Sequence, residues 1–257
     1  AIFQLLAAQA FGACRPVSLC SGTRLGHNFA ISFQSPSASA PPLVPYIYSQ
    51  AELKLLLDAT PAACGQCVPF EACVLRSLIL LSYGACLRPS EGRHLTMKDV
   101  DLGQAVLCIR MSKFYKTRLV PLGKDLNEAL RQYVQQRNLS YVSEPDAPLF
   151  CFRDGRALSK SAVGSAFRRL RGLAGIARQD GARYQPRLQD LRHTGAVHRL
   201  VAWYRRGADL QYLLPQLATY LGHVDLSATQ RYLTLTPELL HEASLRFGRY
   251  AMEIHYD

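Results

Sequence analysis

Four short segments of the 257-residue chain carry residue types that could act on a phosphodiester. They are GACLRPSEGRHL (84–95), MSKFYKTRLVPLG (111–123), PRLQDLRHTGAVH (186–198) and YLGHVDLSATQRYL (220–233). Attack on a phosphodiester builds negative charge on two nonbridging oxygens, and two arginine forks could clamp both of them. A tyrosine phenol, with a pKa of about 10, needs a strongly cationic pocket to act as nucleophile, and a lysine could protonate the leaving oxygen. Each segment alone is weak evidence, but the four together are informative.

The positive charge of the chain is concentrated in one region. The net charge is +11, from 30 Lys and Arg against 19 Asp and Glu. Residues 153–206 hold 13 basic and three acidic residues, and therefore +10 of that excess. Most of the basic residues there are arginines, whose guanidinium groups pair bidentately with phosphate. A polyanionic partner is therefore favoured over a merely solvated basic face.

Composition narrows the class of protein. With 49% apolar and 19% charged residues the chain falls in the soluble globular range, and no apolar run approaches the roughly 18 residues that a membrane span needs. The eight cysteines are scattered, and the single CxxC of Cys64 and Cys67 has no second pair at zinc spacing. We therefore predict free thiols in a reducing cytoplasm, no metal site and no membrane association.

A Ser/Pro-rich stretch, SPSASAPPLVP, ends near Pro45 and predicts a linker.

Ser49 and Glu52 form a capping box at the start of a helix, and a second, buried helix is expected from Pro69 to Cys86. Two short β-type runs, 105–111 and 117–122, predict a small antiparallel unit. The remaining predicted elements are helices at 124–137, 159–174, 188–204, 214–221, 227–232 and 236–247, and a strand at 149–152.

In their order and spacing, the four segments closely resemble the tyrosine recombinase, or phage integrase, family. The catalytic domain of that family carries an arginine, a hairpin lysine, an HxxR motif, an LGH motif and a tyrosine in this order. The resemblance covers about residues 46–245. It implies an α+β, mostly helical fold with a small antiparallel sheet, with residues 1–45 as a truncated or degenerate N-terminal segment and linker and 46–257 as the catalytic domain that breaks and rejoins DNA.

The resemblance also implies a role for each matching residue. Arg88 and Arg192 match the two catalytic arginines, and His223 matches the histidine of LGH. Tyr232 matches the nucleophile. The supporting acid is Glu91, and the hairpin lysine is Lys113 or, three residues on, Lys116. Arg168, Arg169 and Arg171 are candidates for DNA backbone contact, although they could equally form a solvated helix face.

One position departs from the family pattern. Gln189 stands where the family usually has the histidine of HxxR. Glutamine can donate a hydrogen bond to a phosphate oxygen or to the tyrosine, but it cannot accept and relay a proton as imidazole does. His193 is expected to point to another side of its helix, about 100° per residue away from Arg192.

The resemblance implies a site-specific recombinase or integrase that cleaves and rejoins duplex DNA through a 3′-phosphotyrosyl intermediate. It would need no cofactor, metal or membrane partner. It would act as a tetramer on paired sites, in integration, excision or transposition of a mobile element. The expected location is the cytoplasm, on DNA. Two other functions stay open: a DNA-binding protein of the same fold with weakened or lost catalysis, and a type IB topoisomerase-like enzyme that relaxes DNA without strand exchange.

Overall fold

The computed structural model describes residues 44–65, 68–110, 117–234, 240–242, 244, 245 and 248. The helices are α1 (Gln50–Asp58), α2 (Thr60–Ala63), α3 (Ala72–Gly84), α4 (Pro89–Arg93), α5 (Lys124–Asn138), α6 (Lys160–Leu173), α7 (Leu188–Arg205), α8 (Leu210–Leu221) and α9 (Ser227–Thr234). A 3-10 helix, Met97–Asp99, leads into the strands β1 (Val100–Asp101), β2 (Val106–Ile109) and β3 (Arg118–Pro121). Residues 240–242, 244, 245 and 248 are also helical.

The first helix begins where the sequence predicts it. The Ser49 side chain accepts a hydrogen bond from the Glu52 backbone N–H at 3.2 Å, and the Glu52 carboxylate accepts the Ser49 N–H at 2.7 Å. The two bonds satisfy backbone donors that a helix start leaves without partners. The apolar face of α1, formed by Leu53, Leu56 and Leu57, is buried in the core.

Helices α3 and α7 pack along each other at the centre of the fold. As predicted, α3 is buried on most of its sides. The close approach depends on Gly195 of α7, because a Cβ at this position would lie 2.2 Å from the backbone oxygen of Tyr83 in α3. A larger residue would push the two helices apart. This helix pair is the frame on which the candidate site is built.

The sheet has the strand order β1-β2-β3, and both strand pairs are antiparallel. Leu107 of β2 faces Val120 of β3 across the ladder, and both side chains are buried. The predicted pair of strands is therefore confirmed, with β1 as an additional two-residue strand. The segment 111–116 that links β2 to β3, and with it Lys113 and Lys116, lies outside the described residues.

The predicted strand at 149–152 is wrong. In its place the structure has only isolated bridges, Cys151 with Ala157 and Thr96 with Pro148. Leu149 and Phe150 are fully buried, so the apolar run serves the core rather than a sheet. Tyr133 of α5 donates its hydroxyl to the Leu149 carbonyl, a bond of 2.8 Å that helps to satisfy the buried backbone.

The helix predicted at 214–221 starts four residues earlier, at Leu210. The Asp209 carboxylate caps it by accepting the backbone N–H groups of Gln211 and Tyr212. Pro215 lies inside the helix, where it removes one backbone donor without ending the element. Most of the helix predicted at 236–247 and of segment 1–45 falls outside the described residues.

None of the helices in the described part of the chain combines the length and the apolar character that a membrane span requires.

Candidate active site

The first arginine stands at a sharp turn between α3 and α4. Cys86, just after α3, has a left-handed backbone with φ of 50°, which redirects the chain so that Arg88 precedes α4 in an extended conformation. Pro89 then occupies the first helical turn, where its missing N–H costs nothing. Glu91 accepts the Arg88 backbone N–H at 2.9 Å and its guanidinium at 2.7 Å. The turn and the carboxylate together orient Arg88.

Glu91 is shared by three arginines from three elements. Besides Arg88, the guanidinium of Arg118 in β3 donates to both carboxylate oxygens, at 3.0 and 2.9 Å. Arg192 of α7 lies 3.6 Å from the same carboxylate. Burial raises the pKa of Glu91, but the hydrogen bonds and charges of its neighbours, Arg118 foremost, outweigh burial and lower that pKa to about 2. Glu91 is therefore ionised throughout the neutral range.

Arg192 is one of the most deeply buried side chains of the molecule, with 2% of it exposed. Its guanidinium donates to the backbone oxygens of Cys86 at 2.7 Å and of Leu221 at 2.6 Å. Burial, and then the charge of Arg88, lower the pKa of Arg192 to about 10, while Glu91 opposes this shift. The group stays charged at neutral pH and is held by the ends of α3 and α8.

Tyr232 lies in α9, which packs on α7 and α8. Its ring is buried, and its hydroxyl is 2.9 Å from Nδ1 of His193. The His223 ring stacks on it with a centroid distance of 6.2 Å. Burial raises the pKa of Tyr232, whereas the charge and a hydrogen bond of Arg192, and the charge of Arg88, lower it. The expected cationic surroundings exist, but burial prevails and the phenol keeps its proton.

His223 is positioned by the end of α8. Gly222 adopts the left-handed conformation that closes this helix, with φ of 66°. The Nδ1 atom of His223 then lies 2.7 Å from the Thr229 hydroxyl. Burial lowers the pKa of His223 to about 4, together with the charges of Arg192 and Arg88. His223 is therefore neutral at pH 7 and able to act as a hydrogen-bond donor.

Among the other predicted site residues, Lys113 and Lys116 lie outside the described region. The Gln189 side chain makes no hydrogen bond to any described residue, and it lines a groove of about 850 Å³. Arg168 and Arg171 line the same groove, and Arg171 also donates to the Pro186 oxygen at 3.0 Å. Arg169 is not among the lining residues. The structure thus separates the three arginines of α6.

The groove beside the site is strongly basic. Its wall includes Arg93, Lys160 and Arg187 in addition to the two arginines of α6. Tyr184, also in this wall and 42% exposed, lies under the guanidinium of Arg187 at 5.4 Å and under that of Arg183 at 5.2 Å. Arginines stacked on an exposed aromatic ring present both charge and a flat surface.

Sequence reasoning missed two residues of the site. Arg118 shares the strand face of buried Val120, two residues on, so period-2 alternation pointed it inward. His193, which the sequence places on another side of its helix from Arg192, contacts Tyr232 because α9 packs on α7. The spacing of His193 could have indicated this contact, because His193 follows Gln189 by four residues and residues four apart share one face of a helix.

The chain belongs to the phage integrase family, whose model matches residues 48–238. The fold is that of the tyrosine recombinase catalytic domain. A protein of Sinorhizobium fredii described as "Putative integrase/recombinase y4rE" is 39% identical over 210 residues, covering 82% of this chain and 66% of that protein. The tyrosine recombinase XerA of Pyrococcus furiosus is 29% identical over 203 residues, covering 79% and 62%. This chain thus spans just under two thirds of the length of these relatives.

Solved structures agree on the fold. The crystal structure of XerA recombinase superposes with a TM-score of 0.60 at 24% identity, covering 80% of this chain and 66% of the other. The Tn1549 transposon integrase, in complex with transposon right end DNA, gives a TM-score of 0.56 at 19% identity, covering 82% and 66%.

Proposed function

We propose that this chain cleaves and rejoins duplex DNA by transesterification, with Tyr232 as the nucleophile. The observation that carries the proposal is that Arg88, Arg192 and Tyr232 lie together, although they come from the start of α4, from α7 and from α9. Both arginines contact Glu91, and Arg192 also hydrogen-bonds to Tyr232. Two guanidinium groups there can hold both nonbridging oxygens of a scissile phosphate.

In the proposed step the Tyr232 oxygen attacks phosphorus and the bond from phosphorus to the 5′ oxygen breaks. The DNA 3′ end is then held as a phosphotyrosyl ester, and the 5′ oxygen leaves as a hydroxyl after receiving a proton. Lys113, or Lys116, is the proposed donor of that proton from the link between β2 and β3. The reverse attack by a 5′ hydroxyl rejoins the strand. No cofactor or metal is part of the proposal.

The basic groove supports DNA as the substrate. It adjoins α4 and the start of α7, so a DNA backbone lying along it would come close to the elements that hold Arg88 and Arg192. We propose Arg168 and Arg171 as backbone contacts, and we leave Arg169 out because it does not line the groove. The Tn1549 integrase relative is described in complex with transposon DNA, which agrees with a DNA-associated protein that acts on a mobile element.

A suicide DNA substrate tests this function. A nick placed beside the scissile phosphate lets a short fragment diffuse away after cleavage and traps the covalent adduct. We expect a protein–DNA adduct with the wild type and none with Tyr232→Phe, while DNA affinity stays within a factor of about two, since one hydroxyl contributes little to a binding dominated by backbone charge. A wild-type protein that binds but leaves no adduct would contradict the function.

That negative result would favour the second candidate, a DNA-binding protein without catalysis. The observation in its favour is Gln189, which replaces the family histidine and bonds to no described residue. Relaxation of supercoiled DNA without recombinant product would instead indicate the topoisomerase-like activity.

Assembly as a tetramer on paired sites is also part of the proposal. The segment 236–247 is the proposed docking element toward a neighbouring protomer. Of this segment, Glu242 accepts a hydrogen bond from Arg205 of the same chain at 2.7 Å. A truncation after Thr236 that leaves cooperative assembly on DNA intact would reject the docking role.

A further inference from the structure

His193 contacts the candidate nucleophile directly. Its Nδ1 atom lies 2.9 Å from the Tyr232 hydroxyl, and the two ring centroids are 5.6 Å apart. The imidazole follows Arg192 directly in α7, so the same helix holds a phosphate-binding arginine and this histidine side by side.

Both partners of this hydrogen bond are neutral at pH 7. Burial lowers the pKa of His193 to about 4. The charge of Asp190 opposes this shift, whereas the charges of Arg192 and Arg187 add to it. Since the pKa of Tyr232 is raised, the phenol is protonated and the imidazole is neutral at pH 7. In the tautomer with the imidazole proton on Nε2, Tyr232 donates and Nδ1 accepts, and this is the arrangement that the proposal requires.

Other candidates for this acceptor are less well placed. Glutamine has no basic nitrogen, so Gln189 cannot take a proton. The Nδ1 atom of His223 lies against the Thr229 hydroxyl. Among the described residues, His193 is the base in hydrogen-bond contact with the attacking oxygen.

We propose that His193 is the proton acceptor for Tyr232, a catalytic role that rests on the proposed DNA cleavage. As the bond from oxygen to phosphorus forms, the phenolic O–H bond breaks and its proton moves to Nδ1. The imidazolium returns that proton to the tyrosine oxygen when the strand is rejoined.

The charge environment of His193 is set from several elements, and the substrate adds to it. Several ionisable groups surround His193 and its tyrosine partner: Arg187 before α7, Asp190 and Arg192 of α7, Cys86 after α3, Arg88 before α4, His223 after α8 and Tyr232 of α9. A bound phosphodiester brings negative charge into this set and raises the proton affinity of the imidazole. DNA binding thus prepares the acceptor.

The principal test uses His193→Asn, because the asparagine side-chain oxygen can still accept the tyrosine hydrogen bond but cannot take its proton. Cleavage is measured in single turnover on two suicide substrates, one normal and one with sulfur in place of the bridging 5′ oxygen. The sulfur leaving group needs no protonation, so it relieves a missing acid but not a missing base. We expect His193→Asn to slow both substrates by ~100-fold or more.

The matched control is His198→Asn in the same helix. His198 also pairs with a tyrosine, since its Nδ1 lies 3.0 Å from the Tyr83 hydroxyl, but it is not part of the site. We expect its cleavage rates to stay within a factor of about three of wild type on both substrates. Near-wild-type rates for His193→Asn on either substrate would overturn the role of His193 while leaving the proposed function intact, whereas a wild type without any adduct would overturn both.

A second measurement does not depend on folding of that variant. Nitrogen NMR of the wild-type protein distinguishes which imidazole nitrogen of His193 carries the proton. We expect an unprotonated Nδ1 in the free protein and, with Tyr232→Phe bound to uncleaved DNA, a His193 pKa raised by about one unit or more. A proton on Nδ1 in the free protein, or no rise on DNA binding, would overturn the proposal.

Discussion

Glu91 is the residue on which three arginines depend, and its ionisation links the site to the stability of the domain. Its pKa is lowered from 4.5 to about 2 in the folded protein. A carboxyl group with a lowered folded-state pKa stabilises the fold above its unfolded-state pKa, and this contribution disappears as the pH falls through the folded-state value. The stabilisation is therefore complete at neutral pH and is lost between about pH 4.5 and pH 2.

We expect Glu91→Gln to lower the free energy of unfolding by roughly 3 kcal/mol at pH 7, because the charged hydrogen bonds to Arg118 and Arg88 are lost. The difference from wild type should shrink as the pH is lowered toward 2. Urea denaturation across this pH range measures it. A difference that stays constant with pH would contradict the assigned ion pairs.

At the scale of elements, the contact between α3 and α7 sets the position of Arg192 relative to Arg88. In Gly195→Ala the new Cβ would meet the Tyr83 oxygen at 2.2 Å and the Cys86 sulfur at 2.8 Å, and neither helix backbone can yield easily. We expect a loss of about 1–3 kcal/mol in unfolding free energy, measured by chemical denaturation.

Gly164 of α6 provides the matched control, because a Cβ there meets nothing within 4 Å. Gly164→Ala should be neutral or stabilising by up to about 1 kcal/mol, as alanine favours the helix. Equal effects of the two substitutions would mean that the α3–α7 packing is looser than described.

The sheet is tied to the site by Arg118. Its guanidinium binds Glu91 through two nitrogens and donates through Nε to the Tyr220 oxygen at 3.1 Å, so one side chain joins β3, α4 and α8. Lysine cannot reproduce this fork. We expect Arg118→Lys to slow single-turnover cleavage by ~10- to 100-fold through misplacement of Arg88 and of the adjoining lysine segment.

DNA affinity should change little in this variant, which a binding titration checks. Leu119→Thr is the neighbouring control, since Leu119 is 66% exposed on the other face of the strand, and its cleavage rate should match wild type. A wild-type rate for Arg118→Lys would show that the fork is dispensable.

Local signals in the sequence explain which elements could be predicted. The starts of α1 and α6 follow from Ser49 and Ser159, whose hydroxyl groups accept backbone N–H groups in their own first turns. The apolar run at 149–152 gave no such signal, because burial in a core and pairing in a sheet favour the same residues.

The candidate site was predictable only in part. The order of the motifs indicated Arg88, Arg192, His223 and Tyr232, and these four meet in the structure. The contact between His193 and Tyr232 depends on how α9 crosses α7, which is a tertiary property that residue spacing does not determine. The alternation of side chains along β3 would have indicated that Arg118 points inward, but it would not have identified Glu91 as its partner.

At the scale of the whole molecule, the basic groove is the surface on which we expect DNA to lie. The basic groove holds Lys160 and Arg168, whereas Arg131 lies on α5 beside Glu128. Phosphate contacts release counterions, so each lost contact reduces the slope of log affinity against log salt by roughly 0.9.

We expect Lys160→Ala and Arg168→Ala each to reduce the salt slope by about one and to weaken binding similarly for all DNA sequences. Arg131→Ala, in α5 and outside the lining of the groove, should leave the slope unchanged. Fluorescence anisotropy with labelled duplex DNA between low and moderate salt measures the three slopes. Equal slopes for all variants would place the DNA on a different face.

The sharing of Glu91 among three arginines has an electrostatic consequence for turnover. Three guanidinium groups and one carboxylate leave two net positive charges among these four side chains. An intact DNA linkage presents a single negative charge to them, whereas the pentacoordinate species formed with the tyrosine oxygen carries two. In the proposed reaction, the two net positive charges would balance the dianion, whereas they exceed the single charge of the intact linkage. The four side chains would therefore favour the transition state over the bound substrate.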